Sequence, residues 1–322
     1  MYDVVALGEL LIDFTCQSTD PDGYPTMAAH PGGAPANYLA ALTKYGVSTA
    51  LLAKVGSDAF GAMLIDTLKK AGIETGGVVV DKEVFTTLAF VTLDDRGDRT
   101  FSFARKPGAD TCLKEEELDL QLIQQAKVFH FGTLSLTHDP SRTATQYAVC
   151  YAKQQGKLIS FDPNLRKPLW ADLEDAKRWM KWGLAQADVV KISDEEVEFL
   201  FGLDPLNGAE HILKEYGVAL VFVTCGADGC LFKNAKGQGR VSALPGIEVK
   251  DTTGAGDIFG GSAMWKLLQI GTDPEALELE ELYAIAAFGC AGAGLSTTRF
   301  GGLCSVCDLE QVTAACAQIA KC

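Results

Sequence analysis

The sequence has few basic residues for its length. Its 322 residues include 28 lysines and arginines against 42 aspartates and glutamates, a formal net charge of −14 at pH 7. A surface this acidic repels nucleic acid and anionic lipid, so we expect neither nucleic acid nor a membrane as partner. The first residues lack a basic start, and their apolar run ends at Gly8-Glu9, too short for a signal peptide. These features predict a cytoplasmic protein whose first strand begins near residue 3.

Two nucleotide-binding signatures are also missing. The chain contains no GxxxxGK[ST] phosphate loop, and the residues after Val5 read ALGELLID where a dinucleotide-binding enzyme carries GxGxxG. Both absences count against a P-loop enzyme and against a dinucleotide-dependent oxidoreductase. Of the ten cysteines, only Cys304 and Cys307 form a close pair. A zinc site would need a second such pair, so we expect mostly buried, reduced thiols.

Apolar runs of strand length alternate with helical patterns along the chain. The predicted strands are Asp3–Gly8, Thr49–Val55, Lys127–Phe131, Lys157–Phe161, Val189–Ile192 and Leu220–Thr224. Their nearly continuous Val, Ile, Leu and Phe are typical of strands buried on both faces. The clearest helix is Asp58–Gly72, with Asp58 as its N-cap and Gly72 as its stop. This alternation predicts an α/β fold, a mostly parallel sheet between two layers of helices, in one domain over 1–322.

Two segments interrupt the alternation. Residues 13–30 are extended and rich in turn residues, and residues 76–105 carry short runs of Val, Thr and Phe around the turn Asp94–Gly97. With no helical pattern of their own, they are predicted to form a small lid of antiparallel strands over a site. An edge hairpin without function is the alternative. Lid strands also expose edges, which predicts a homodimer through the lid.

The most informative motif is DTTGAGD, residues 251–257, which opens a helical pattern. Gly254, Ala255 and Gly256 let a ligand approach backbone N–H groups at the start of a helix, which is a favourable site for an anion. Asp257 follows within the first turn. A carboxylate beside an anion site suits phosphoryl transfer, because it accepts the proton of a hydroxyl while the N–H groups stabilise the phosphoryl group. A glycine-rich turn with an Asp cap is the alternative.

A second glycine motif, PGGAPAN at residues 31–37, also opens a helical pattern. Gly32 and Gly33 expose backbone N–H groups, and the Asn37 carboxamide offers both a donor and an acceptor to a sugar hydroxyl. Asp13 follows the first strand, at the sheet edge where open α/β sheets place their sites. A turn residue at Asp13 and a helix cap at Asn37 are the alternatives.

The two motifs resemble, in the right order and spacing, the signatures of the ribokinase-like (PfkB-type) carbohydrate kinases, and the similarity extends from ALGELLID to TRFGG. The resemblance implies a three-layer sandwich with a small β-strand lid. It implies Asp257 as catalytic base, residues 254–256 as anion hole, and Asp13, Gly32, Gly33 and Asn37 as sugar ligands. It also implies ATP with Mg²⁺ as cosubstrate.

The same resemblance implies the nucleotide and metal positions. The nucleotide-binding residues would be Thr224, Gly226, Gly229, Ala287, Cys290 and Gly294, with Lys191 and Ser193 near the phosphates. Where many relatives carry Asn-x-x-Glu to organise the Mg²⁺ water shell, this chain has Ser193 and Glu196. Many relatives also use K⁺; its mostly backbone ligands would fall at Asp251, Thr253, Ser296, Arg299, Gly301 and Ser305.

The substrate is less clearly indicated by the sequence. DPNLRKPLW (162–170) and FARKPGAD (103–110) are similar to segments of the fructokinase branch, in which arginines at the positions of Arg105 and Arg166 surround the substrate. A surface ion pair is the alternative for each arginine. Ribose, 2-keto-3-deoxygluconate and aminoimidazole riboside remain possible substrates. A non-catalytic sugar-sensing module is a further alternative, although a sensor has no need for the base.

Overall fold

The strands of the main sheet are apolar on both faces, and this composition places them between two layers of helices. The computed structural model describes residues 2–93 and 99–322. The strands are β1 (Val4–Leu7), β2 (Leu11–Thr19), β3 (Pro25–Gly32), β4 (Thr49–Gly56), β5 (Val78–Asp81), β6 (Leu88–Leu93), β7 (Arg99–Ala104), β8 (Val128–Gly132), β9 (Leu158–Asp162), β10 (Val189–Ser193), β11 (Leu220–Thr224), β12 (Cys230–Asn234) and β13 (Gln238–Val241). The helices are α1 (Ala34–Lys44), α2 (Ala59–Ala71), α3 (Leu120–Gln125), α4 (Ser141–Gln154), α5 (Leu173–Leu184), α6 (Asp194–Phe201), α7 (Pro205–Tyr216), α8 (Ala255–Ile270), α9 (Leu279–Ser296) and α10 (Leu309–Cys316).

The main sheet has nine strands in the order β13-β12-β11-β10-β9-β8-β1-β4-β5. All neighbours pair in parallel except β11 with β12 and β12 with β13. Apolar side chains of α1, α2, α8, α9 and α10 pack on one face of the sheet, and those of α3 to α7 pack on the other. The predicted α/β sandwich and its six predicted strands are confirmed, with strand ends that differ by at most one residue.

The predicted helix at residues 58–72 also forms, and its ends follow from the residues at its caps. The Asp58 carboxylate accepts hydrogen bonds from the N–H groups of Phe60 and Gly61, each at 2.9 Å. Gly72 ends the helix in the left-handed region, at φ 83°. Both devices satisfy backbone groups that the helix itself leaves without partners.

The lid is a second sheet of four strands in the order β3-β2-β6-β7. Two of its pairs are antiparallel as predicted, but β2 and β6 pair in parallel. The parallel pair arises because the chain returns to the main sheet through β4, α2 and β5 before it enters β6. For the same reason β5, inside the predicted lid segment 76–105, belongs to the main sheet. The predicted turn at residues 94–97 lies outside the described residues.

The fold brings the carboxyl ends of β1, β9, β10 and β11 to one edge of the main sheet, below the lid. Open α/β sheets bind their ligands at this edge. Within the described part of the chain, no helix is both long enough and apolar enough to cross a bilayer. All ten cysteines, including Cys304 and Cys307, are free thiols.

An aromatic cluster that includes Phe131 of β8 and Phe161 of β9 is expected to contribute much of the stability. Phe131 is fully buried, and its ring centroid lies 4.8 Å from that of Phe161. Phe131→Ala should lower the free energy of unfolding by about 3–5 kcal/mol, because the lost contacts leave a cavity. Tyr24→Ala is the control: Tyr24 is 70% exposed, and its loss should change stability by less than about 0.5 kcal/mol. Denaturant unfolding measures both values, and equal losses would contradict this account of the core.

Candidate active site

The N-terminal tip of α8 lies between two cavities. Gly254 precedes the helix in the left-handed region, at φ 74°, and a Cβ there would lie 3.0 Å from the Asn37 side-chain nitrogen. A Cβ at Gly256 would lie 2.9 Å from Lys191 Nζ. Gly254 is therefore needed for its backbone conformation, whereas a side chain at Gly256 would displace the Lys191 ammonium group. The Ala255 N–H donates to the carbonyl of Thr252 at 3.2 Å, so this predicted anion-hole amide is engaged in a turn. The other first-turn N–H groups point out of the helix toward its tip.

Asp257 lies on the first turn of α8, and two carboxamides from other elements hold its carboxylate. Its Oδ2 accepts from Asn37 Nδ2 at 2.9 Å, and its Oδ1 accepts from Asn164 Nδ2 at 2.8 Å. Burial raises the pKa of Asp257 above its ordinary value, while the bond from Asn37 and the charges of Lys191 and Arg166 offset part of the rise. A carboxylate fixed in this way is oriented, and in its ionised form it can accept a proton.

A cavity of about 540 Å³ opens in front of Asp257, under the lid. Its walls include the predicted sugar residues Asp13, Gly33, Asn37 and Arg166, together with Gly254. Lid residues Val91 and Phe103 also line it. The volume suits a small ligand, and the polar groups converge from both the sheet and the lid.

Asp13 sits on β2 where the lid meets the main sheet. Burial raises its pKa to about 7, although the positive charge of Arg166 acts in the opposite direction. A Cβ at Gly32 would lie 2.1 Å from Asp13 Oδ2, and one at Gly33 would lie 2.4 Å from the carbonyl oxygen of Glu9. The two glycines are therefore needed for the loop to pass this close to the Asp13 carboxylate and the Glu9 backbone.

A second cavity, of about 320 Å³, lies on the other side of the α8 tip. Five of the predicted nucleotide residues line it: Thr224, Gly226, Gly229, Cys290 and Gly294. Thr252 lines both cavities, so the two meet at the α8 tip. Ala287 is not among the lining residues; one turn earlier on α9, it lines a separate cavity with Trp265 and Tyr283. Ala287 therefore borders a different cavity from the other predicted nucleotide residues, and its contact with the nucleotide stays a prediction.

Lys191 brings a positive charge to the α8 tip. Its Nζ lies 3.1 Å from Asp162 Oδ2, and 12% of its side chain is exposed. Burial alone would lower the pKa of Lys191, but the carboxylates of Asp162, Glu196 and Asp257 outweigh burial and raise it. Lys191 therefore stays charged beside Gly256, where an anionic group would bind.

Ser193 and Glu196 cap α6. Ser193 Oγ accepts from the Glu196 N–H at 3.2 Å, and Glu196 Oε2 accepts from the Ser193 N–H at 2.9 Å. Glu196 Oε1 accepts from the Leu165 N–H at 2.7 Å. This reciprocal pair is a capping box, which Ser forms as readily as Asn. The capping box explains how Ser193 can stand at the position of the expected Asn.

The two predicted substrate arginines differ in position. Arg166 lines the larger cavity and acts electrostatically on both Asp13 and Asp257. Arg105 does not line this cavity. Its side chain is 1% exposed and forms an ion pair with Asp110 at 2.6 Å, so its predicted contact with the substrate has no support in this structure.

The loops predicted to hold a monovalent cation are brought together by Asp251. Its Oδ1 accepts from the N–H and the hydroxyl of Thr253, and its Oδ2 accepts from the Gly301 N–H at 2.9 Å. The hydroxyls of Ser296 and Ser305 donate to neighbouring carbonyls at 2.7 Å. Arg299 lies between Ser296 and Gly301, and its side chain is exposed.

Sequence reasoning missed Asn164 and Glu9. Asn164 follows β9 with φ 47°, in the left-handed region that Asn tolerates better than most residues. Its place in Asp162-Pro-Asn, directly after a buried strand, was an available signal. Glu9 is 3% exposed, lines the larger cavity and accepts from the Ala34 N–H at 2.7 Å. Nothing in the sequence around Glu9 indicated that it would face the site.

Comparison with known proteins gives this arrangement a family. The sequence model of the pfkB family of carbohydrate kinases matches residues 1–306. The chain belongs to this family. Fructokinase-2 of Solanum lycopersicum is 42% identical over 304 residues, which cover 93% of this chain and 92% of that protein. The predicted family and activity are confirmed: the protein is a carbohydrate kinase.

Solved structures of family members superpose over almost the whole chain. A fructokinase with bound ATP from Xylella fastidiosa gives a TM-score of 0.89 at 31% identity, covering 98% of both chains. A fructokinase from Vibrio cholerae, in a form with fructose, ADP and calcium ion bound, gives 0.86 at 30% identity, covering 97% of this chain and 98% of that one. The ribokinase-like fold is therefore confirmed.

The half-buried Asp13 carboxylate makes stability depend on pH. Because its folded pKa of about 7 lies above its ordinary value of 3.8, the folded state holds this proton more tightly than the unfolded state does. Asp13 therefore favours folding most at low pH and loses this contribution as pH rises from 4 through 7. Asp13→Asn should gain stability relative to wild type over this range, by up to about 4 kcal/mol.

Urea unfolding of both proteins at pH 4, 5, 6, 7 and 8 measures this difference. Asp22→Asn, in the exposed turn between β2 and β3, is the control for a surface substitution and should change stability by less than about 0.5 kcal/mol. If the difference for Asp13→Asn is flat with pH, the pKa of Asp13 is not raised in the folded state, which contradicts this account.

Proposed function

We propose that the protein is an ATP-dependent fructokinase that transfers the γ-phosphate of ATP to a hydroxyl of fructose. The observation that carries the proposal is the position of Asp257 at the junction of two cavities, one polar and lid-covered, the other lined mostly by apolar side chains. The polar cavity suits a sugar, and the apolar one suits an adenine ring. Relatives named fructokinase at about 40% identity support fructose as the sugar.

In this mechanism the chain positions groups and moves one proton. Asp257 accepts the proton of the attacking hydroxyl, and the hydroxyl oxygen attacks the γ-phosphorus as the bond to ADP breaks. The N–H groups at the α8 tip and Lys191 stabilise the negative charge on the transferred group. Asn37 and Asn164 keep the Asp257 carboxylate in place. Lid residues exclude water, which would otherwise accept the phosphoryl group.

Mg²⁺ would enter with ATP. Within the described residues no three acidic, His or Cys side chains converge as a metal cage. The carboxylate of Glu196, close enough to Lys191 to raise the pKa of that residue, fits Mg²⁺, because that ion is commonly held by substrate phosphates, waters and one or two carboxylates. Glu196 is the nearest candidate for its water shell, next to Lys191. The bound ion would neutralise charge on the phosphates.

A monovalent cation such as K⁺ would bind at the loops joined by Asp251. Support comes from the carbonyl of Thr297, which accepts from the N–H groups of Lys250 and Asp251 at 2.8 and 3.1 Å and fixes the two loops beside α8. A cation there would steady the loop that carries Gly254. A homodimer through the lid and a cytoplasmic location also remain predictions; exposed Tyr24 and the exposed end of β2 support the dimer.

Asp257→Asn is the first test of the mechanism. The amide keeps the shape but has one acceptor oxygen, so it can accept from only one of the two carboxamides. It also cannot accept the proton, so turnover should fall by about 10²–10⁴-fold. The variant should still unfold cooperatively in thermal unfolding, because removing a buried charge offsets the lost hydrogen bond. The exposed Asp119→Asn should turn over at the wild-type rate. Unchanged turnover in Asp257→Asn would remove this residue from the mechanism.

A sugar panel tests the substrate. ADP release should be followed with fructose, ribose, 2-keto-3-deoxygluconate and aminoimidazole riboside at equal concentrations. We expect the highest kcat/KM with fructose. Fructose that stays inert while another sugar is phosphorylated would overturn the substrate but not the kinase. ATP that fails to bind in calorimetry with each sugar present would favour the non-catalytic sugar-sensing module.

A further inference from the structure

The lid hairpin of β6 and β7 joins the main domain through two buried segments at its base, which we call its roots. Thr86 and Thr87 precede β6, and Arg105 follows β7. Thr86, Thr87 and Arg105 are between 1% and 4% exposed. The hinges of a movable lid are a few loop or element-terminal residues that absorb changes in the backbone angles. Roots this buried indicate that the lid's position is set by specific contacts.

Asp110 holds both roots at once. Its Oδ1 accepts from the Thr87 hydroxyl at 2.5 Å, and its Oδ2 accepts from Arg105 Nε at 2.8 Å and Nη2 at 2.6 Å. The side chains of Arg105 and Asp110 are 1% and 2% exposed. The packing leaves no room for variation: a Cβ at Gly108 would lie 1.7 Å from the Thr87 hydroxyl oxygen and 2.9 Å from Asp110 Oδ1.

The same guanidinium reaches the wall of the sugar cavity. Arg105 Nη2 donates to the Leu134 carbonyl at 3.0 Å, and Nη1 donates to the Thr137 hydroxyl at 2.9 Å. Leu134 lines the larger cavity from below, and Phe103, two residues before Arg105, lines it from the lid. Arg105 thus joins the lid side of the cavity to its floor through one rigid, planar group.

The pair also acts on the loop that faces the sugar. Burial is the main cause that raises the pKa of Glu9 to about 7; the charge of Asp110 acts in the same direction and the charge of Arg105 acts against it. Glu9 accepts from the Ala34 N–H, next to Gly33 of the predicted sugar loop. Other charged groups that act on the cavity carboxylates are Arg166, Asp251 and Asp257.

We propose that Arg105 is a positioning residue that fixes the lid hairpin relative to the floor of the sugar cavity. It contacts no reacting atom; it acts by setting where Phe103 and Val91 stand over the sugar. This inference rests on the proposed kinase function and assigns Arg105 a role other than substrate contact. Breaking one partner of a buried pair leaves an uncompensated charge, so the anchor is sensitive to small changes.

Arg105→Lys tests the proposal, with Arg142→Lys as matched control. Lysine keeps the positive charge but cannot donate from three nitrogens in one plane. Arg142 supports the same loop, donating to the carbonyls of Leu136 and Thr137 at 2.8 Å, and none of its recorded polar contacts within the described residues is with the lid. Arg105→Lys should raise KM for the sugar about tenfold or more with a smaller change in kcat; Arg142→Lys should change KM less than about threefold.

Hydrogen exchange of the sugar-free protein is the second readout. Arg105→Lys should accelerate exchange in β6 and β7 by about tenfold or more while β1 and β8 keep wild-type rates. Should Arg105→Lys fail to fold, Thr87→Val removes a single bond to Asp110 and should shift both readouts in the same direction by less. Unchanged KM and lid exchange would overturn the proposal, as would equal acceleration in β1, which would indicate a general loss of stability.

The exchange measurement separates this inference from the proposed function. It needs no substrate, so its result stands if the preferred sugar is not fructose or if no sugar is phosphorylated. In the first case KM is measured with the sugar that is turned over. Wild-type activity on fructose together with unchanged lid exchange in Arg105→Lys would leave the function intact and reject the anchor.

Discussion

The arrangement of the site depends on the bond pair that holds the Asp257 carboxylate. Asn37 comes from α1 and Asn164 from the loop after β9, and both carboxamides point at the same side chain on α8. These elements are distant in sequence and meet only when the main sheet is complete. The two bonds orient a carboxylate that burial would otherwise drive toward the neutral form. The helix tip, the glycines and the two cavities are useful for phosphoryl transfer only around a base held in this way.

The site places several ionisable side chains close together and away from water, which costs free energy. Asp13, Glu9, Asp162 and Asp257 are all largely removed from water at the edge of the sheet. Lys191 and Arg166 balance part of the negative charge. A purely structural core would avoid such a cluster, since apolar residues would pack there at lower cost. Perturbed charged groups of this kind cluster at functional sites, and here they lie under a lid next to a helix N-terminus. This arrangement suits a sugar with many hydroxyls and an anionic phosphate.

Much of the fold and of the site could be predicted from the sequence because the signals are local. Runs of apolar residues fix the strands of the main sheet, and Asp58 and Gly72 fix the ends of α2. The two glycine motifs locate loops where a backbone must approach a ligand. The positions of Ala287 and Arg105 depend on tertiary packing instead: the rotation of α9 decides which side of the helix faces the nucleotide loop, and Asp110 draws Arg105 inward. The parallel pairing of β2 with β6 depends on the path of the chain between them, which no local pattern encodes.

The central claim concerns one carboxylate and the hydroxyl that it activates. A crystal structure of the protein with fructose and a non-hydrolysable ATP analogue tests it most directly. The account predicts one sugar hydroxyl about 2.6–3.2 Å from an Asp257 oxygen, with the terminal phosphate of the analogue against the N–H groups at the α8 tip. A sugar bound with every hydroxyl out of reach of Asp257, or an analogue bound away from that helix tip, would contradict it.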